Sequence, residues 1–298
     1  DSIDFSSITY IGSGSSYALC QSAAISTRLH LGIPSYAIAA GDLMLNFDHY
    51  HEIIKDTLII APSRSGSTSE VIKSIKKTKK KYNRPCISVS AKKNSLLSNE
   101  TDYNLELSWI FDESVCQTRT VTNLYTVNLY LVGLFAKKND LLDDIKKAVK
   151  NGEFFIDKYK NTLKKIGEKG DWDKVVVLAD SELSGIAAEA SIAFKEIPQI
   201  MSNYYHILDV RHGPMVMIDN KTLVILASTK EEKSYQRDLI DNIMEKGANV
   251  ITVGQQKEEY FNSDLHVELD KYKYYGVSGI PFIFVPQVIA YYKPDGLF

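Results

Sequence analysis

Five segments of this 298-residue chain occur twice, in the same order and at nearly constant spacing. Thr57-Leu58-Ile59-Ile60-Ala61-Pro62-Ser63 is matched by Thr222-Leu223-Val224-Ile225-Leu226-Ala227-Ser228. Cys86 to Val89 is matched by Val250 to Val253, and Asp102 to Leu107 by Asp264 to Leu269. The apolar run Ser7 to Ile11 is matched by Val175 to Leu178, and the helical run after Gly14 by Gly185 to Phe194. The offsets are 167, 165, 164 and 162 residues, which chance does not readily produce. Self-similarity at fixed spacing marks a repeated structural unit, so the chain reads as two copies of one domain.

Within a copy, short apolar runs alternate with helix-period runs. The first copy offers strands at Ser7 to Ile11, Tyr36 to Ala39, Thr57 to Ala61, Cys86 to Val89 and Tyr103 to Leu107. Helices are expected from about Tyr17 to Leu31, from Glu70 to Tyr82 and from Val121 to Ala136. That alternation predicts an α/β fold with a mostly parallel, helix-covered sheet in each copy, doubly wound. The expected domains are residues 1–139 and 171–298. Between them, 140–170 reads as a charged helical linker packing on both halves, with a sparse apolar stripe and with Gly167 and Gly170 ending it.

One loop departs from generic α/β chemistry. Ala61-Pro62-Ser63-Arg64-Ser65-Gly66-Ser67-Thr68-Ser69-Glu70 follows a buried strand and opens a helix. The first amides of a helix lack intrahelical acceptors, and the dipole favours an anion there. Ser63, Ser65, Ser67 and Thr68 add hydroxyl donors, and Gly66 allows close backbone approach. No Gly-Lys-Ser/Thr follows, so the loop is not a P-loop. Simple capping would use such residues too, but four hydroxyls in six residues exceed what a cap needs, and phosphate binding is the stronger expectation. The second copy has Ser228-Thr229-Lys230-Glu231-Glu232-Lys233 instead. Its carboxylates are expected to satisfy the helix amides and repel an anion.

Composition narrows the partners. A net charge of −2 gives no basic face for nucleic acid, and the run Lys76 to Lys81 suits a solvated helix C-terminus. Cys20, Cys86 and Cys116 are odd in number and sit in or beside apolar segments, as reduced thiols of a cytoplasmic protein would. The longest apolar stretch, Gly279 to Tyr292, holds two prolines and is too short to span a bilayer. No basic-then-apolar leader is seen. The chain begins at Asp1 and stops at Phe298, so one or both ends are expected to be missing. The six histidines are scattered without metal-ligand spacing.

Acid–base candidates cluster between Glu189 and Pro214. Glu189 and Glu196 lie two turns apart on one helix face. Glu196 ends an apolar helix, where partial burial would raise its pKa as a general base needs. An exposed Glu paired with Lys195 or Arg211 is the other reading, and composition alone favours it. His212 precedes Gly213-Pro214, a sharp turn that could project an imidazole into a cleft or merely use it structurally.

Together these motifs resemble the double sugar-isomerase (SIS) domain proteins, especially the isomerase half of glucosamine-6-phosphate synthase and the fructosamine-6-phosphate deglycases. The resemblance covers nearly the whole chain. It rests on Gly14-Ser15-Ser16-Tyr17, Ser63-Arg64-Ser65-Gly66-Ser67-Thr68, Val115-Cys116-Gln117-Thr118-Arg119-Thr120, and Glu196 with His212-Gly213-Pro214. It implies tandem SIS domains, each a flavodoxin-like three-layer sandwich. It also implies that Gly14, Ser15, Ser16, Ser63, Arg64 (Gln in many relatives), Ser65 and Thr68 form the sugar-phosphate site. Val115 and Gln117 would contact sugar hydroxyls, Gln117 standing where the synthase has a small Ser. Glu196 would move a proton between C1 and C2, with Glu189 as a supporting carboxylate. His212 would assist ring opening or act as acid, in such proteins often from a neighbouring subunit, which implies a homodimer with a shared site.

The departures are as informative. The synthase's glutaminase domain has no counterpart in this sequence, so glutamine-driven amination is not expected from this chain. The synthase tail carries a Schiff-base lysine. The passage 292–298 looks shortened against it, and Lys293 is not carried over. The expected activity is cofactor-free and metal-free aldose–ketose isomerisation of a hexose 6-phosphate, amino- or amine-substituted. The rivals are a deglycase or deaminase of such a sugar, and a non-catalytic sugar-phosphate sensor. No membrane or nucleic-acid partner is expected.

Overall fold

The computed structural model describes residues 5–257 and 260–294. Its contacts divide the chain into Asp1–Asn139 and Asp140–Phe298. The first unit runs β1 (Ser7–Gly12), α1 (Ser15–Leu31), β2 (Ser35–Ala39), α2 (Ala40–Leu45), α3 (His51–Ile54), β3 (Thr57–Ser63), α4 (Ser69–Tyr82), β4 (Cys86–Ser90), β5 (Tyr103–Glu106) and α5 (Arg119–Phe135). Its five strands are parallel in the order β2-β1-β3-β4-β5. The continuous apolar runs become the sheet centre: every residue of β1 and β3 is buried, whereas all four of the edge strand β5 are exposed.

α4 shows how the pattern fixes the packing. Val71 and Ile75, four residues apart, join Ile11, Ile59, Ala61 and Cys86 in one apolar cluster. Each such buried side chain contributes roughly 1.5–3 kcal/mol. The lysines face outward, and three of them meet acids: Lys76–Glu100 at 3.0 Å, Lys79–Asp102 at 2.7 Å and Lys81–Asp48 at 2.7 Å. The basic run is a helix C-terminus, as its position suggested, but three of its lysines are paired with acids where the sequence suggested a solvated end.

The second unit opens with two helices, α6 (Asn139–Lys150) and α7 (Gly152–Lys169), where the sequence suggested one helical segment. Gly167 does not end α7; Gly170 caps it. Gly167 is interior because a Cβ there would come within 2.7 Å of the Ile289 carbonyl, so only glycine admits the last helix. There follow β6 (Lys174–Leu178), α8 (Ser184–Glu196), β7 (Met201–Tyr205), β8 (Thr222–Ala227), α9 (Lys233–Met244), β9 (Asn249–Gly254), β10 (Leu265–Glu268), α10 (Gly279–Phe282) and α11 (Phe284–Tyr292). The strands are again parallel, in the order β7-β6-β8-β9-β10. That is the same winding as the first unit.

Backbone detail repeats as well. Gly14 and Ser181, 167 residues apart, both adopt positive φ, as do Gly32 and Gln199 at the same offset, and Asn83 and Gly247. The three cysteines are buried free thiols. Among the described residues no helix is long and apolar enough to cross a membrane. The tail expected to be shortened, 292–298, runs beyond the described residues after 294.

Candidate functional site

In a parallel sheet of order 2-1-3-4-5, ligands bind outside the strand C-termini where the winding direction reverses, between the first and third strands. In the first unit that point is framed by the β1–α1 turn, with Gly14, Ser15 and Ser16, and the β3–α4 loop, with Ser63 to Thr68. The β1–β3 ladder ends at Tyr10↔Ile60. Pro62, which has no N–H, stands just beyond on β3, so the two strands part and a crevice opens.

The loop is pre-shaped by its own hydroxyls. Ser63 Oγ accepts the Gly66 amide at 2.9 Å, and Ser65 Oγ accepts the Ser67 amide at 3.2 Å. Gly66 has φ 55°, and a Cβ there would lie 2.3 Å from the Ser95 side chain. Its carbonyl accepts from the Leu97 amide at 2.8 Å. Thr68 is the N-cap of α4 yet makes no side-chain capping bond. The hydroxyl excess is thus not consumed in capping. The half-buried Glu70 carboxylate lies on its own backbone amide, with Ser69 Oγ at 3.0 Å, which holds it below the usual carboxylate range.

Arg64 reaches sideways along the loop. It donates to Asp112 Oδ1 at 3.0 Å, to the Ser114 carbonyl at 2.5 Å and to the Val115 carbonyl at 3.2 Å. Asp112 Oδ2 in turn accepts the amides of Thr118 and Thr120, at 3.1 and 3.0 Å. Burial would raise the Asp112 pKa, but the Thr120 amide, Arg64 and the Thr118 amide together hold it below the ordinary value. Through Asp112 the segment 112–120, with Val115 and Gln117, is fastened to the phosphate-type loop. Val115 is 91% exposed, and Gln117 carries a buried Oε1 with no hydrogen-bond partner. Asp112 and Ser95 were not singled out by the sequence.

The remaining candidates belong to the second unit. Glu189 is 1% exposed within α8, and Glu196 is the exposed last residue of that helix. Neither Lys195 nor Arg211 pairs with Glu196 among the described residues; Arg211 donates to Asn242 Oδ1 at 2.8 Å. Glu196 borders a hollow of about 580 Å³ with Met201, Ser202 and Asn203 of β7. His212 is exposed at the end of a short turn, beside Tyr235, Asp238 and Asn242 around a hollow of about 460 Å³. Gly213 after it has φ 124°, and Val216 and Met217 beyond are 81% and 65% exposed. Lys293 donates to the Gly170 carbonyl at 2.6 Å and sits 4.1 Å over the Trp172 ring, which makes it a clasp on the end of α7.

Among the described residues no group of three or more acids, histidines or cysteines is arranged to hold a metal. In the second unit the loop matching residues 63–68 is closed differently from expectation. Glu232 is the N-cap of α9 but makes no side-chain capping bond. Gln236 does the closing, with Oε1 accepting the Thr229 amide and Nε2 donating to Thr229 Oγ1 and the Glu231 carbonyl.

Comparison with known proteins fits this architecture. The SIS domain model matches residues 3–132 and 170–269. The glutamine–fructose-6-phosphate aminotransferase of Clostridium tetani is 28% identical over 241 residues, covering 76% of this chain and 39% of the relative. That of Sulfurisphaera tokodaii is 24% identical over 291 residues, covering 96% of this chain and 46% of the relative. The chain therefore spans less than half the length of these relatives. Among solved structures, a glucosamine-6-phosphate deaminase from Thermotoga maritima superposes with a TM-score of 0.81 at 22% identity, covering 97% of this chain and 85% of the other. The tagatose-6-phosphate ketose/aldose isomerase of Escherichia coli gives 0.84 at 18% identity, covering 97% and 82%. With both halves matched by one family model and both sheets wound alike, the chain belongs to the SIS domain family.

Proposed function

We propose that this chain is a cofactor-free, cytoplasmic enzyme that rearranges a hexose 6-phosphate by base-catalysed proton transfer between C1 and C2. One observation carries the reading: a strand–loop–helix at the first unit's switch point whose hydroxyls shape the loop, and whose N-cap Thr68 does not cap. The phosphate is held by Ser63, Ser65, Thr68 and the first amides of α4, with Gly14, Ser15 and Ser16 across the crevice. Arg64 acts as the brace that keeps Val115 and Gln117 near the sugar hydroxyls.

Glu196 removes a proton from C1 of the open-chain ketose to give an enediol and returns it to C2 to give the aldose. Glu189 supports it from within α8, and His212 serves ring opening as an acid. An exposed His beside the apolar Val216 and Met217 suits a segment covered by a second copy of the chain, so we assign the working form as a homodimer that shares His212 between subunits. Relatives named aminotransferase and a structural neighbour named glucosamine-6-phosphate deaminase favour an amine-bearing substrate. With such a sugar the same proton transfer gives an enaminol, and water then releases the amine.

Glu196→Gln tests the assignment. Turnover of hexose 6-phosphates, followed by mass spectrometry, is expected to fall about 10²–10⁴-fold, with sugar-phosphate binding kept within a few-fold. A wild-type rate refutes the role of Glu196. Assay of free amine or ammonia from fructosamine 6-phosphate separates release of an amine from simple isomerisation.

A further inference from the structure

The second unit contains a cleft of about 440 Å³ at the end of its sheet opposite the strand C-termini. One wall is the C-terminal half of α7, with Lys165 and Lys169; the other is the start of β8, β9 and β10, with Leu223, Val250 and Leu265. Trp172 completes the floor. It is 3% exposed, its indole Nε1–H is buried with no acceptor among the described residues, it packs T-shaped against Phe194 with ring centres 5.9 Å apart, and one ring face lies under the Lys293 ammonium. The volume is that of a small-molecule site, with an apolar floor and with Thr162, Lys165, Lys169, Asn249 and Asp264 as the polar part of the lining.

Lys165 and Lys169 are one turn apart on α7 and share a wall of the cleft. Both are exposed and neither makes an ion pair or hydrogen bond among the described residues. The one acid in the lining, Asp264, uses Oδ2 to accept the Val250 amide at 2.7 Å. The first unit shows what this end looks like when it is merely structural. There Asp102 Oδ2 accepts the Cys86 amide at 2.8 Å, while Oδ1 is neutralised by Lys79 of α4 at 2.7 Å. In the second unit the matching helix, α9, has Ile243 and Met244 at that point, and α7 brings two lysines that have no partner among the described residues to the cleft.

We propose that this cleft is a second small-molecule site, taking a flat apolar body that bears a carboxylate or phosphate, with the anion between Lys165 and Lys169. The site is separate in sequence and chemistry from the residues of the proposed reaction. The chain has two tryptophans, Trp109 and Trp172, so Trp109→Phe leaves Trp172 as the only indole reporter. Benzoate, phenyl phosphate and uncharged benzyl alcohol are titrated into that variant while indole emission is followed.

The expected result is a saturable change with benzoate or phenyl phosphate, or both, and none with benzyl alcohol; which anion acts identifies the head group. Lys165→Gln with Lys169→Gln should weaken that binding at least about tenfold, or roughly 1.4 kcal/mol. Because both side chains are exposed and make no ion pair among the described residues, the double variant is expected to keep its unfolding midpoint. Glu196→Gln should leave the titration unchanged, so failure here and failure of the proposed reaction are read separately. Absence of saturable change with either anion, equal response to benzyl alcohol, or indifference to the two lysine substitutions overturns the proposal.

Discussion

The two switch points of this chain share a winding and differ in almost every side chain. In the first unit the ladder between the central strands stops at Tyr10↔Ile60, whereas in the second it runs one pair further, to Leu178↔Leu226. Pro62 of β3 is replaced by Ala227 of β8, which can keep its amide in the sheet. Beyond the strands, the first loop carries a run of hydroxyls, two of which shape the turn, and its N-cap Thr68 makes no side-chain capping bond. The second is stitched shut: Gln236 fills the turn, Ser228 Oγ donates to Gln256 Oε1 at 2.7 Å, and Lys230 Nζ donates to the carbonyls of Tyr272 and Lys273. The buried Glu182, in the place of Ser15, accepts the Gly276 amide at 3.1 Å. The backbone is shared down to the positive φ at residues 14 and 181, while the second loop spends its side chains on internal bonds.

The sharpest way to break that contrast is Gly66→Ala. Positive φ already strains an L-residue, and the new Cβ would overlap the Ser95 side chain at 2.3 Å. A loss of roughly 3 kcal/mol or more in unfolding free energy is expected in denaturant titration. Affinity for a hexose 6-phosphate should fall at least about tenfold. Unchanged affinity would mean that the loop's shape is not what holds the ligand.

How far the sequence carried this picture depends on which residues were in play. The repeat was legible because the central strands are continuous Val, Ile and Leu runs in both copies, and buried parallel strands need little else. β7 escaped notice: Met201-Ser202-Asn203-Tyr204-Tyr205 is an edge strand with no β-branched residue and no clean alternation. Asp112 escaped for a different reason. Its importance lies in amides six and eight residues downstream and in Arg64 far upstream, and no local pattern announces a carboxylate with three such partners. For Glu196, the sequence left burial and exposure both open, and the chain places it exposed at the end of α8. Helical spacing fixes a face, not what covers it.

Asp112 supplies the next test. Asp112→Ala removes the acceptor of two amides and of the Arg64 guanidinium, and a cost of about 2 kcal/mol is expected. The pH dependence has a defined sign. Hydrogen bonding holds the folded pKa below the unfolded value, so the carboxylate's contribution is complete above the ordinary Asp pKa of about 3.9. It is lost as pH falls through the lower folded pKa. The gap in unfolding midpoint between wild type and Asp112→Asn should therefore be constant from neutral pH down to about 5 and close below about 4. A gap that widens on acidification would reverse the assignment.

The smallest effect is expected on the stitched side. Lys230 occupies the position of Ser65, and burial lowers its pKa while two backbone carbonyls hold its ammonium. Lys230→Met keeps the aliphatic stem and removes those bonds, for a cost of about 1 kcal/mol. Because the second loop serves its own closure, sugar-phosphate affinity should stay within twofold of wild type, whereas Ser65→Ala should lower it by about three- to tenfold through loss of one loop hydrogen bond. If Lys230→Met instead weakened the ligand as much as Ser65→Ala, the second switch point would be part of the binding site and not its retired copy.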